Sequence, residues 1–524
     1  MRYTKDVRAR FVTAEEAVAL VPDGASLLIE ASGGGVVEPD LLIAALGARY
    51  DRTAQPSGIR ALSCSGVGDR AGSGIDHLAH PGLLRRMVAG HWAMSPKLAG
   101  MAQDGEFEAY NLPQGVLAQL LRETAAGRPG LLTRTGLGTF CDPRIDGGRL
   151  NARTTEQLVR TMDIDGEEFL FYPSPHFDVG FIRATTADEK GNLTLEQEAA
   201  KLGVLAAATA VRNSGGIVIA QVKRVAQAGT LRAKDVVVPA HLVDYVVVHP
   251  GQQQTATTAY EPAFAGEMRV PLAMADPLAL TERAVVARRA AAMIPRGAVV
   301  NLGVGMADGV AAVVAEQGRL DEVTMTVEQG LVGGVPARGV IFGVAWNPEA
   351  VIEHAAQFDF YDGGGLDVTC LGFAEIDAEG NVNSSLVDGR VFGAGGFINI
   401  SQSAKRVVFC GTLTAGGLRT EIADGRLTVT REGRVRKFVP AVHQTTFSAR
   451  RARERGQEVF YVTERAVFEL TCEGVALREI APGHTVEEIV AQMGFEPLLP
   501  APPVPMADHL FRPATAPVEP REPA

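Results

Sequence analysis

Two stretches separated by half the chain repeat one another, and that repeat limits the possible folds more than any other feature. Near the start stands EEAVALVPDGASLLIEASGGG; much later comes RRAAAMIPRGAVVNLGVGMADG. Each has an Ala-rich amphipathic stretch, a Pro-x-Gly-Ala turn, an aliphatic run and then glycines. Gly24 aligns with Gly297, 273 positions on. A second echo follows: ATTADEKGNLTLE, with Asp188, Gly191 and Asn192, matches AEIDAEGNVNSS, with Asp377, Gly380 and Asn381, at an offset of 189. Both read as hairpins turning on Gly-Asn. The offsets differ by 84 residues, so the first half carries an insertion of that size, within about 50–170. Two related domains are expected, 1–260 and 276–496. The boundary falls in the polar, turn-rich segment GQQQTATTAYEPAFAGE.

The aliphatic runs SLLIEA, GIVIAQV, VVNLG, TMTVE and RVVFCG alternate with amphipathic stretches of helical period. Uninterrupted β-branched runs fit strands buried on both faces. The fold class predicted is therefore α/β: two related open α/β domains with mainly parallel sheets. In such folds ligands lie beyond the carboxyl ends of the strands, where the glycine loops after SLLIEA and VVNLG fall. The 58 glycines, well above the usual share of about 7%, suit tight turns or close approach of backbone to a ligand.

Three stretches bear chemistry. In VTMTVEQGLVGGVPARG a strand ends at Glu328, and Gly330, Gly333 and Gly334 then let the chain turn sharply. A carboxylate at a strand end in a glycine-lined crevice is a candidate nucleophile, and equally a capping or turn residue. In GRVFGAGGFINIS, Gly393, Gly395 and Gly396 form a G-x-G-G loop. Its amides could serve an oxyanion or phosphate, or the loop could merely join strands. In YNLPQGVLAQLLRE, Pro113 and Gly115 set Gln114 on a turn before a helix with Val116, Leu120 and Leu121 on one face. The Gln114 amide could bind a carboxylate or carbonyl, or belong only to the helix start.

Together the segments YNLPQG, GLGTFCDPR, TTADEKGNLTLE, TVEQGLVGG, FDFYDGGGLD, EGNVN and GAGGFINIS resemble the family I CoA-transferases, over about residues 5–495. The resemblance is to the single-chain acetate/propionate (short-chain acyl-CoA:carboxylate) group, in which α-like and β-like halves are fused. It implies CoA transfer from a short-chain acyl-CoA to acetate, propionate or a 3-oxo acid by a ping-pong cycle through a glutamyl–CoA thioester. Glu328 takes the place of the nucleophile. The resemblance points to Gly395 or Gly396 for the oxyanion amide within the 393–396 loop, and to Gln114 beside the acyl group. Residues 342–350 (FGVAWNPEA) and the 393–397 loop are candidate walls for CoA; no cofactor-binding residue is otherwise assigned. CoA enters as substrate, with no tightly bound cofactor and no metal. The partners are acyl-CoA and small carboxylic acids, in a homodimer or homotetramer.

Two rival activities keep parts of this pattern. VVNLGVGMADG gives Gly303-x-Gly305-x-x-x-Gly309 after a strand, and Glu328 lies 25 residues beyond Gly303, as a ribose-binding acid would in a nicotinamide-dependent oxidoreductase. An acyl-CoA hydrolase could use the same scaffold if water reached the glutamyl intermediate. The net charge of −11 argues against nucleic acid. The five scattered cysteines lack a CxxC and read as reduced thiols. No secretory signal and no membrane-length apolar run is visible, so a cytoplasmic location is expected. The Pro- and Ala-rich tail, 497–524, reads as disordered.

Overall fold

The structure, a computed structural model, describes residues 8–271 and 278–513. Packing divides the chain into two units. The first runs to Val270 and includes Val327–Asp362 and Ser385–Asn399; the second takes Pro271–Thr326, Gly363–Ser384 and the chain from Ile400. The turn bearing Glu328 thus belongs to the first unit, although it follows the start of the second repeat in sequence.

The first unit is built on eight parallel strands: β1 (Arg10–Phe11), β2 (Ser26–Ile29), β3 (Ile59–Ser63), β4 (Leu84–Ala89), β5 (Glu108–Asn111), β6 (Val179–Asp188), β7 (Ile217–Ala226) and β8 (Tyr245–Val248). Their order is β1-β8-β7-β6-β2-β3-β4-β5. Every residue of β6 is buried, as a central strand covered on both faces requires. On one face lie helices α1 (Gln114–Ala125) and α2 (Val204–Asn213), packed in a core that includes Leu28, Leu62, Val88, Leu117, Leu120 and Val211. The residues between β5 and β6 include an antiparallel three-stranded sheet of Gly130–Thr133, Arg160–Ile164 and Glu167–Pro173. It lies largely within the span where the longer offset of the first half predicts added chain.

The second unit repeats the scheme with β9 (Val299–Leu302), β10 (Thr324–Val327), β11 (Val368–Gly372), β12 (Arg406–Cys410), β13 (Glu458–Val462), β14 (Ala466–Leu470) and β15 (Val475–Ile480). The order is β10-β9-β11-β12-β13-β14-β15, parallel as far as β13 and antiparallel at β14 and β15.

The repeat extends to single atoms. Asp178 Oδ2 accepts the Ser26 amide at 2.8 Å where β2 begins; Asp367 Oδ2 accepts the Val299 amide at 2.9 Å where β9 begins. In the two Gly-Asn turns, Asp188 accepts the backbone and side-chain amides of Asn192, and Asp377 those of Asn381. Gly191 and Gly380 both have left-handed φ, 99° and 91°.

The tail departs from expectation over 497–513. Val504–Pro505 lies parallel beside Glu479 and Ile480, the Met506 amide donates to the Ile480 carbonyl, and Met506, Leu510 and Phe511 are buried. An edge strand tolerates proline because one side of its ladder is unused. The three apolar side chains supply an anchor that composition alone does not reveal. Residues 514–524 lie outside the described residues. No helix among the described residues is long and apolar enough to cross a membrane.

Candidate active site

Val327, Leu331 and Ala345 form a small core that fixes the turn after β10. Gly330 has φ 104°, and a Cβ there would lie 2.2 Å from the Ile352 carbonyl oxygen, so only glycine closes this turn. Glu328 is held with 8% of its surface exposed, and Gln329 beside it is buried.

From Gln329 a chain of hydrogen bonds runs through the unit. Gln329 Nε2 donates to Ser32 Oγ at 3.1 Å, Ser32 and Ser65 share a hydroxyl bond at 3.2 Å, and Ser65 Oγ donates to Gln114 Oε1 at 3.2 Å. Gln114 Nε2 then meets His354 Nε2 at 2.9 Å. With the amide donating, His354 Nε2 accepts and its proton sits on Nδ1, which finds no partner among the described residues. Burial pushes the His354 imidazole down to about 3, so it stays neutral at neutral pH. Burial, aided by Arg70, holds His91 at about 4. Gln329 Oε1 is likewise buried with no partner among the described residues.

The G-x-G-G loop is tied to the YNLPQG segment at its backbone. Asn111 Nδ2 donates to the carbonyls of Ala89 and Gly90, and its Oδ1 accepts the Ala394 amide at 2.8 Å. The Gly395 amide donates to the Gly90 carbonyl at 2.7 Å, the Gly393 amide to that of Ser385 at 3.0 Å, and the Gln114 amide to that of Gly395 at 2.9 Å. The amides of Gly393 and Gly395, both candidate donors on sequence, are therefore occupied within the protein. Gly396 is buried, and its amide is the one in the loop with no acceptor among the described residues.

Helix α1 is locked behind the site by α3 (His354–Asp362). A Cβ on Gly115 would come within 2.4 Å of Phe358 Cδ1, and the Gly115 amide donates to Asn399 Oδ1 at 3.1 Å. Gln119 donates to Asp359 and Asp362, and Arg122 pairs with Asp359 at 2.6 Å. Burial raises Asp362 to about 6 despite the bonds it accepts from Asn399 and Gln119.

Sequence reasoning thus named Glu328, Gln114 and the loop. It missed Ser32, Ser65, Asn111 and His354 as partners. Asn111 stands inside the YNLPQG segment and was the most findable; the serines and the histidine carry no local motif.

Residues 11–249 match the Coenzyme A transferase family. The chain is 45% identical over 494 residues to the acetate CoA-transferase YdiF of Escherichia coli O157:H7, covering 94% of this chain and 93% of that protein. The chain is a family I CoA-transferase. It is also 44% identical over 503 residues to the caffeate CoA-transferase of Acetobacterium woodii, covering 94% and 95% of the two chains. Its fold matches the E. coli O157:H7 YdiF acyl-CoA transferase in its thioester complex with CoA, with TM-score 0.92 and 44% identity over 97% of this chain and 96% of that one. These relatives support CoA transfer to carboxylates, with CoA as substrate. They leave the hydrolase and nicotinamide readings without support. The mixed α/β fold of this transferase, with large and mainly parallel sheets in two halves, is as the sequence predicts.

Proposed function

We propose that the chain moves CoA between short-chain acyl-CoA and free carboxylates by a ping-pong cycle, with Glu328 as the nucleophile. The Glu328 carboxylate attacks the acyl-CoA carbonyl. The tetrahedral oxyanion collapses, the C–S bond breaks, and a mixed acyl-glutamyl anhydride and free CoA thiolate result. The thiolate attacks the glutamyl carbonyl, the first acid leaves as carboxylate, and a glutamyl–CoA thioester remains. A second carboxylate reverses these steps, and no proton is gained or lost over the cycle.

The observation that carries this reading is the burial of Glu328 in a turn whose next residue is linked by hydrogen bonds to Gln114, and through it to the G-x-G-G loop. Partial removal from water strips a carboxylate of the hydration that makes it a poor nucleophile, and fixed geometry lowers the barrier further. The uncommitted Gly396 amide supports its role as oxyanion donor. The Gln114 amide, held by Ser65 and His354, supports a place beside the acyl group. Acetate, propionate or a 3-oxo acid are the acceptors proposed, consistent with the acetate enzyme among the relatives. The family relation supports a homodimer or homotetramer, and the absence of a membrane-length helix among the described residues is consistent with a cytoplasmic location.

The test is intact-mass and peptide mass spectrometry of the enzyme mixed with acetyl-CoA and no acceptor. A CoA adduct is expected on the peptide containing Glu328. Glu328→Gln should lose the adduct and slow turnover roughly a thousandfold or more while folding normally. Near-normal turnover by that variant would exclude Glu328 as the nucleophile.

A further inference from the structure

A cavity of about 310 Å³ lies in the first unit, between the β2-β3-β4 sheet face and helix α1. Much of its wall is apolar, from Leu62, Val88, Leu117, Leu120, Leu158 and Tyr172, while Ser26, Arg60, Arg86, Ser174 and His176 supply a polar part. It is distinct from the catalytic turn. Gln329, Ser65 and the loop gather beyond the carboxyl ends of β2, β3 and β4, whereas the cavity opens on the first rung of the same strands. There Ser26, Arg60, Arg86 and Glu108 stand side by side in register.

That rung places two guanidiniums on adjacent strands, and only one is neutralised. Arg86 pairs with Glu108 at 2.5 Å and also with Glu156. Arg60 lines the cavity and is exposed. Its polar contact is a long one, 3.5 Å to the Gly24 carbonyl, and no carboxylate pairs with it among the described residues. At the same mouth the Ser174 hydroxyl is buried with no hydrogen-bond partner among the described residues. His176 there already faces Asp178 at 3.5 Å. An apolar chamber with one unpaired planar cation and one orphan hydroxyl suits a ligand with an apolar tail and a single negative head. Glu108, Glu156 and Asp178 around the rung would repel a doubly charged phosphate.

We propose that this cavity binds a free amphiphilic monocarboxylate, its aliphatic or aryl tail among the leucines and its carboxylate on Arg60 and the Ser174 hydroxyl. The site is additional to the one at Glu328, and it holds acid without any exchange of CoA. Octanoate suits its size: at about 30 Å³ per water the cavity equals roughly ten waters, close to the heavy-atom count of that acid. Because each buried methylene changes affinity by about fourfold, octanoate should bind about fifteenfold more tightly than hexanoate.

The experiment is equilibrium dialysis of labelled octanoate against the full-length protein with no acyl-CoA present. Leu158→Trp fills the chamber from a partly buried position and should weaken binding at least about tenfold while leaving CoA transfer unchanged. Arg60→Glu, an exposed change, should weaken it about fivefold or more, and octanol should bind less tightly than octanoate. Octanoate binding that neither variant alters would place the acid elsewhere, including beside Glu328, and would overturn the proposal. So would no binding up to about 5 mM. If Leu158→Trp fails to fold, Arg60→Glu alone decides. None of these readouts involves a glutamyl intermediate, so their failure leaves the transferase reading of Glu328 untouched.

Discussion

Gly393 and Gly395 share a loop and a left-handed φ, 83° and 55°, yet they tolerate a side chain differently. A Cβ on Gly393 would stand 2.9 Å from Asn111 Nδ2 and 3.0 Å from His91 Cα, while one on Gly395 meets nothing nearer than 3.6 Å. Gly393→Ala should therefore displace Asn111, release the Ala394 amide and cost about 2–3 kcal/mol, whereas Gly395→Ala should cost only the left-handed strain of about 1–2 kcal/mol. Urea midpoints of the two variants, with turnover measured beside them, check the difference. Gln114→Ala should lower kcat/KM by roughly ten- to a hundredfold, because Ser65 and His354 lose the amide that joins them. His354 and His91, depressed to about 3 and about 4, should show no imidazole titration between about pH 5.5 and 8 by NMR. Of these residues, Glu328, Gln114 and the loop glycines were legible because each sits in a motif with turn-forming neighbours. Ser32, Ser65 and His354 were not, since an isolated serine or histidine has no pattern to mark it until distant segments meet.

At the scale of elements, the two halves begin their paired strands with the same device. Asp178 and Asp367 each accept the first amide of a neighbouring parallel strand, through bonds of 2.8 and 2.9 Å. Removing either carboxylate strands one partly enclosed N–H, so Asp178→Ala and Asp367→Ala should each lose about 1–2 kcal/mol. Asp367 should lose slightly more, because its carboxylate is also held down in pKa by the Lys405 ammonium at 2.8 Å. Chemical denaturation of the two variants tests both the size and the order. The strands themselves were readable as aliphatic runs, and five of the runs named on sequence are parallel strands. The packed portion of the tail was not readable. Proline content argued for disorder, and only the docking of Met506, Leu510 and Phe511 shows that enough apolar surface is buried to order it.

Across the whole molecule, buried acids make stability depend on pH in a definite direction. Burial pushes Glu30 up to about 7 and, with repulsion from Asp40, Glu38 up to about 8, both from an ordinary value of 4.5. Acids raised on folding contribute stability fully below about pH 4.5 and lose it as pH rises through 7 and 8. The protein should therefore become less stable between about pH 5.5 and 8.5, by an amount on the order of 3 kcal/mol. Glu38→Gln, which keeps an oxygen for the Gly68 amide, should flatten that slope. Thermal melts across the pH range decide it. The sequence alone determined the doubled α/β plan, and it marked the residues proposed to carry chemistry. Period, turn chemistry and repeat spacing are local properties, written within a few tens of residues. Tertiary structure decided which amides of the loop are already occupied, which side chains link Gln114 to the turn of Glu328, and that Arg60 lines a cavity with no carboxylate partner among the described residues. Those depend on contacts between segments hundreds of residues apart, and hydrogen-bond satisfaction is settled only when such segments meet.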